Sequence, residues 1–354
     1  MTVPTPLPST PVRSPAALFR RGGPPRRRGV GPLGLALAVA VLLLAATGAE
    51  RADAQPGDAA VRMVVPMAAG GPADLIARHL AERLREPLGA KVIIENKPGA
   101  NGATGAAAVS TAEPDGRTLL LATSGLFTIT PHLDKKSSLD VATDLTPISL
   151  VVVNGTALVV RTALPAGNVA ELIALSKSSA KPLSLGSAGF GNILHLYVEL
   201  LKEATKTDFL HVPYRGVAPA MTDAIAGTIE GLFADLPAAL PQIQGGTMKA
   251  IGLVGESRSK AAPDIPTIAE QGFPGVTGAS WFGLFGPAKM DPALAAKIAE
   301  KVRVALSDPT LVAAFEAMGA QPTPTTPAEF TARIARDRAH WGRVIADRNI
   351  KLDN

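Results

Sequence analysis

The chain has 354 residues, no cysteine, 47% hydrophobic side chains and a formal net charge of +5. Without cysteine there is no disulfide, thiol nucleophile or thiol-linked lipid, and the apolar fraction is that of a globular protein. The basic excess lies at the start: residues 1–54 carry seven arginines against Glu50 and Asp53, leaving 28 of the 35 basic and 28 of the 30 acidic side chains beyond them, a balance with no footprint for nucleic acid.

In chain order, Arg20, Arg21 and the Arg26–Arg28 run precede an uncharged stretch from Val30 to Ala49 with an apolar centre at Leu33–Ala46. Ala52-Asp53-Ala54 then offers a small-x-small cleavage site before Gln55. The centre is short for a span of about 20 residues, so residues 1–54 are expected to be a signal peptide cleaved after Ala54, with a retained anchor as the alternative. Export to the periplasm follows; the paired arginines hint at the twin-arginine route but lack its usual polar and aromatic context. The remaining chain is too long for one comfortable core and predicts two lobes.

From Val61 the sequence reads as an apolar strand, a small-residue loop (Met67, Ala68, Ala69, Gly70, Gly71) and a helix starting near Pro72, with a stripe of Leu75, Ile76, Leu80, Leu84 and Leu88. A strand feeding a glycine loop and a helix start holds a small anion on backbone N–H groups; the plainer reading is an ordinary βα turn. Lys91–Glu95 is a predicted strand, 96–102 a loop, Ala103–Ala112 a small-residue helix, and Thr118–Thr123 a buried strand ending at Ser124-Gly125. Ile148–Arg161 is an apolar run broken at Asn154-Gly155.

Leu183–Ser187 is a predicted strand, followed by a loop to Gly191 and a helix from Asn192, a good N-cap, to Thr205. Phe209–Val212, Ile229–Ala234 and Ala250–Val254 read as strands, with a helix over Ala218–Ala226 and Asp235 at a strand end. Gly278–Pro287 is a second apolar crossing. The tail carries helix starts at Asp291-Pro292, at Asp308-Pro309 and at the capping box Thr326 to Glu329, and the last helix places Phe330, Ile334, Trp341 and Ile345 on an apolar seam. The βαβα order implies an α/β chain with mainly parallel sheets. Two crossings make lobe one discontinuous, 59–155 plus 282–354, with 156–281 as lobe two and a ligand in the cleft.

Several motifs then resemble a known family. They are 64–74 (VVPMAAGGPAD), 92–102 (VIIENKPGANG), 114–120 (PDGRTLL), Ser187-Ala-Gly-Phe-Gly191 followed by His195, His211-Val-Pro-Tyr-Arg-Gly216, 263–270 (PDIPTIAE) and Ser280-Trp-Phe-Gly283. In order and over nearly the whole exported chain they are similar to the Bug-type extracytoplasmic solute-binding receptors of tripartite tricarboxylate transporters. The resemblance implies a bilobal type II periplasmic-binding-protein fold, two Rossmann-like lobes joined by two crossover strands. It also implies a small organic carboxylate as ligand, whether dicarboxylate, tricarboxylate, acidic amino acid or aromatic acid, delivered to membrane permease subunits by a monomer without cofactor or metal. Carried onto this chain, the ligand-holding parts are Met67, Ala68, Ala69, Gly70 and Gly71, the Ser124 turn, and Ser187, Ala188, Gly189 and Asn192 in the second loop, with much contact through backbone and water. Phe190, Asn192, Ile193 and Leu194 stand where the family commonly has hydroxyl residues, and Met67-Ala68-Ala69 replaces an aromatic–proline segment; both departures point to a more apolar pocket.

Individual residues carry two readings. Asp74 is either a first-turn acid serving its helix or an acceptor for a ligand amino or hydroxyl group, and Asp235 is its counterpart in lobe two. Ser124 and Ser187 either bond ligand oxygens or cap their turns. His195 is expected in the core as readily as at the ligand, and Tyr214 and Arg215 line the cleft or face solvent. Helix N-termini near Pro72 and Ile193 are expected to face each other across the cleft. The motifs of hydrolases, metalloproteases and nucleotide-binding enzymes are missing, and the five histidines show no metal spacing. A sensor that presents its closed form to a membrane kinase shares this pocket and stays open as an alternative.

Overall fold

A computed structural model describes residues 60–133 and 141–351. The expected signal peptide and its cleavage site lie outside the described residues. In chain order the strands are β1 (Val61–Val65), β2 (Val92–Asn96), β3 (Thr118–Thr123), β4 (Leu145–Asn154), β5 (Thr156–Arg161), β6 (Leu183–Ser187), β7 (Phe209–Pro213), β8 (Gly231–Asp235), β9 (Met248–Val254), β10 (Ser280–Pro287) and β11 (Ala320–Pro322). They form two sheets, ordered β11-β4-β10-β3-β1-β2 and β7-β6-β8-β5-β9, each covered by helices.

The sheets are mixed rather than mainly parallel. β1 pairs in parallel with β2 and β3, and β6 with β7 and β8. β4, β5 and β10, which carry the chain between sheets, pair antiparallel with their neighbours. A strand arriving from the other lobe has no crossover helix to reverse it, so it enters against the local direction. Both passages run side by side. Gly155 links β4 to β5, and Ser280, which opens β10, stands opposite Asn154 in register.

The caps explain the helix boundaries. Pro72–Leu88 starts with Pro72 in the first turn and ends at Gly89 in the left-handed conformation. It buries Ala73, Ile76, Ala77, Leu80, Ala81 and Leu84, whereas Leu75 and Leu88 of the expected stripe are half-buried. Ile193–Thr205 is capped by the Asn192 side chain, which accepts from His195 N–H at 2.9 Å. Val169–Ser178 and Leu236–Gln244 escaped the sequence reading, as did the short helices Ser124–Thr128, Thr130–Leu133 and Val141–Asp144; the first carries a signal, Asn168 accepting from Glu171 N–H.

The last helix, Pro327–Asp347, opens on the Thr326–Glu329 capping box. Its apolar residues do not form one seam. Phe330 is buried against Trp281 and Phe285 beside the first sheet, with ring centroids 5.3 and 5.1 Å away. Trp341 and Ile345 instead join the core built on the second sheet with Tyr197 and Phe233, and Arg348 pairs with Glu203 at 2.8 Å. At 1.5 Å per residue, 21 helical residues extend about 31 Å, enough to reach both cores.

Candidate functional site

In lobe one, β1 runs into the loop 66–71, and Gly70 takes the positive φ of +77° that its turn requires. Asp74 holds this loop from behind. Its carboxylate accepts from the Gly70 N–H at 2.9 Å, Arg78 Nε at 2.9 Å and Asn96 Nδ2 at 3.1 Å, and Asn96 also donates to the Met67 carbonyl. Burial works to raise its pKa, but the bonds from Arg78, Gly70 and Asn96 outweigh it and hold the carboxyl below its usual range. Asp74 is 3% exposed and faces none of the cavities described below. Its geometry matches the helix-serving reading, extended to the loop.

In lobe two, Ser187 at the end of β6 is fully buried, its hydroxyl 2.6 Å from His211 Nε2 and donating to the Gly189 carbonyl. His211 lies flat on His195, centroids 3.9 Å apart, and His195 Nδ1 accepts from the Gly191 N–H. Burial, then the charges of His195 and Lys202, push the His211 pKa down to about 3. Ser187 and His211 thus have the spacing of a nucleophile–base pair, with the Ser187 hydroxyl fully buried and the His211 ring held neutral. Both serve to fix the 188–191 loop. Nothing in the local sequence pairs residues 24 apart; only the adjacency of β6 and β7 does so.

Three cavities lie between the lobes: one of about 380 Å³ is at the crossing, beside Gly155 and Gly278, and the other two adjoin the loops just described. The larger, about 750 Å³, is walled by Pro66, Met67, Ala68, Asn101 and neighbours from lobe one and by Ala188, Gly189, Phe190, Tyr214 and Arg215 from lobe two. Arg215 is the one charged residue on this wall, is exposed, and makes no ion pair among the described residues. Its carbonyl accepts from the Ala68 N–H at 3.4 Å, across the lobes. Tyr214 donates its hydroxyl to Asp223 at 2.8 Å, which leaves the ring as wall; burial, then that bond, raise its pKa to about 12. Asn101 Oδ1 and Asn192 Nδ2 are buried without a protein partner, and a Cβ on Gly189 would lie 3.3 and 3.7 Å from them.

The smaller cavity, about 30 Å³, has room for about one or two waters. Around it gather Gly71 and Pro72, Asn192 and Ile193, and Val217, the first residues of three helices, together with Asp235 and Ser280. The helix N-termini expected to face each other therefore meet here rather than at the roomy cavity. Asp235 ends β8 opposite Thr156, whose hydroxyl donates to it at 3.0 Å. Burial raises the Asp235 pKa to about 6, against the opposing pull of the Ser280 and Thr156 hydroxyls. Burial, then the Asp235 charge, push the Tyr197 phenol well above its ordinary value.

Of the sequence-derived candidates, Met67, Ala68 and Ala188 line both cavities, Gly189 the larger one alone, and Gly71, Asn192 and Asp235 the smaller one alone. Ala69, Gly70, Asp74, Ser124 and Ser187 line neither. Ser124 does not end in a turn but starts the short helix Ser124–Thr128, its hydroxyl buried without a protein partner. Beside it a Cβ on Gly125 would lie 2.8 Å from Asn192 Cα, so backbone touches backbone where the lobes close. Phe190 and Asn101 belong to the larger cavity, though the sequence marked the first only as a departure from a pattern and the second as shaping a loop.

Residues 76–350 match the family model described as the tripartite tricarboxylate transporter family receptor. Among solved structures, the periplasmic binding protein BugD is 32% identical with a TM-score of 0.80, covering 84% of this chain and 99% of its own. MatC from Rhodopseudomonas palustris with bound malate is 29% identical, with a TM-score of 0.77 and coverage of 82% and 99%. The R. palustris protein Rpa4515 with adipate is 29% identical, with a TM-score of 0.80 and coverage of 84% and 99%.

Proposed function

The chain belongs to the tripartite tricarboxylate transporter receptor family, and from that premise we propose that it is an exported periplasmic receptor that closes its lobes on one small carboxylate and hands it to membrane permease subunits. The observation that carries this reading is the cavity of about 750 Å³ between the lobes, whose one charged wall residue is a cation. Pockets of 300–1,000 Å³ with a few placed polar groups are typical of small-ligand sites. Malate and adipate in two similar proteins make a carboxylate the first ligand to test.

Capture works through the seam. Met67 and Ala68 come from one lobe, Ala188, Gly189 and Arg215 from the other, so a ligand between them favours the closed arrangement by contacting both. Asp74 and Ser187 act as positioning residues that hold the two loops. The protein acts as a monomer and by binding alone; the fully buried Ser187 hydroxyl offers a substrate no route to a nucleophile.

The test is calorimetric titration with mono-, di- and tricarboxylates, paired with small-angle scattering. Saturable binding with a smaller radius of gyration is expected. No heat and no rise in melting temperature with any organic acid overturns the proposal.

A further inference from the structure

We infer that the larger cavity selects an acid with a planar apolar body and a single carboxylate, with Phe190 and Arg215 as the residues that make the choice. The inference rests on the carboxylate reading above. It departs from malate and adipate, which carry two carboxylates each.

The ring comes first. Phe190 is 40% exposed, one of the few large apolar side chains left so open, and it lines the cavity. It sits between Gly189 and Gly191, both at positive φ, on a loop that Ser187 and His211 pin in place. His195 and His211 make edge contacts with it, centroids 5.8 and 5.3 Å away at 87° and 78°. Phe190 is therefore braced by two stacked rings, with its open surface given to the cavity. Such a fixed ring is a platform for another flat ring, which gains area and favourable quadrupole geometry without ordering a loose side chain. Met67, Pro98, Leu133, Pro213 and the Tyr214 ring make the facing walls apolar as well.

Charge sets the second condition. Arg215 can pair one carboxylate bidentately. A second carboxylate would leave water for a wall with no second cation, and an ionised group desolvated without a partner is strongly disfavoured. Asn101 Oδ1, buried beside Gly189 without a protein partner and on the wall of this cavity, offers an acceptor to one donor substituent on the ring.

The experiment titrates the wild-type protein, Phe190→Ser and Arg215→Gln with benzoate, 4-hydroxybenzoate, benzamide, malate and adipate, checking melting temperatures to confirm folding. The ring acids are expected to bind about tenfold or more tighter than either diacid, and benzamide at least about tenfold weaker than benzoate. Phe190→Ser should weaken ring acids about tenfold more than adipate, and Arg215→Gln should weaken every acid but not benzamide. Tighter binding of the diacids, equal losses for both classes in Phe190→Ser, or benzamide binding as well as benzoate overturns the inference while leaving the carboxylate reading standing. No binding of any acid removes both.

Discussion

The two spaces beside the ligand loops differ in volume, about 750 against about 30 Å³, and in where their charge comes from. The smaller one brings its own acid, Asp235, to a place where three helices begin, and Thr156 donates to that carboxyl group. The larger one exposes a cation, Arg215, with no acid on its wall. A helix start is attractive to any anion, including one the protein itself supplies. The inner space thus already carries an acid of its own, whereas the outer one has a cation left over for a visitor.

The largest effect is expected from removing the internal anion. The Asp235 pKa is raised from 3.8 to about 6, so across that window the folded chain holds a proton that the unfolded chain has lost. Its contribution is fully present below the unfolded value and is lost as pH rises through about 6, about 3 kcal/mol in all. His211, lowered from 6.5 to about 3, acts oppositely: the unfolded chain gains its proton first, and stability falls as pH drops below 6.5. Between about pH 4 and 6 the two slopes cancel. Asp235→Asn should therefore raise the melting temperature near pH 7.5 by several degrees and uncover the His211 slope, a melting point that climbs from about pH 4 to 6.5. Matching profiles for variant and wild type would refute the assignment of a buried charge there.

Gly125→Ala tests the closing seam. The added methyl meets Asn192 Cα at 2.8 Å and Ile193 N at 3.0 Å, backbone atoms that no rotamer change can move. Overpacking of this kind costs about 1–3 kcal/mol, here charged only to the closed form, so affinity should fall about 10–100-fold with an unchanged fold. A variant that still contracts in scattering when given ligand would show that the seam is not the closing contact. Smallest is Ser187→Ala, which unties His211 from the 188–191 loop. It should lower stability by about 1–2 kcal/mol and affinity only a few-fold, read by chemical denaturation and titration; selective loss of one ligand class would instead make Ser187 a direct contact.

Legibility in the sequence followed locality. β3 and β6 match their predicted residues, and Asn192, Asp291, Asp308 and the Thr326 box all cap helices where their spacing placed them. Each is a signal contained within four residues or a single apolar run. The antiparallel entries of β4, β5 and β10, the 24-residue step from Ser187 to His211 and the 22-residue step from Asp74 to Asn96 depend on which elements become neighbours, and no local pattern encodes that. The loops of the site were visible as motifs. Which of their residues face the ligand space was not, because the same glycine turn serves a helix start, a seam and a wall.

Because the final helix is fastened near Phe330 to one core and near Trp341 to the other, it works as a tie-rod across the moving joint. A swing of the lobes must twist this rod or slide one of its anchors, so capture and the integrity of the carboxy-terminal turns are thermodynamically linked, each altering the other by the same factor. Trimming or proteolytic nicking beyond Trp341 would thereby retune uptake affinity from a place the cargo never touches.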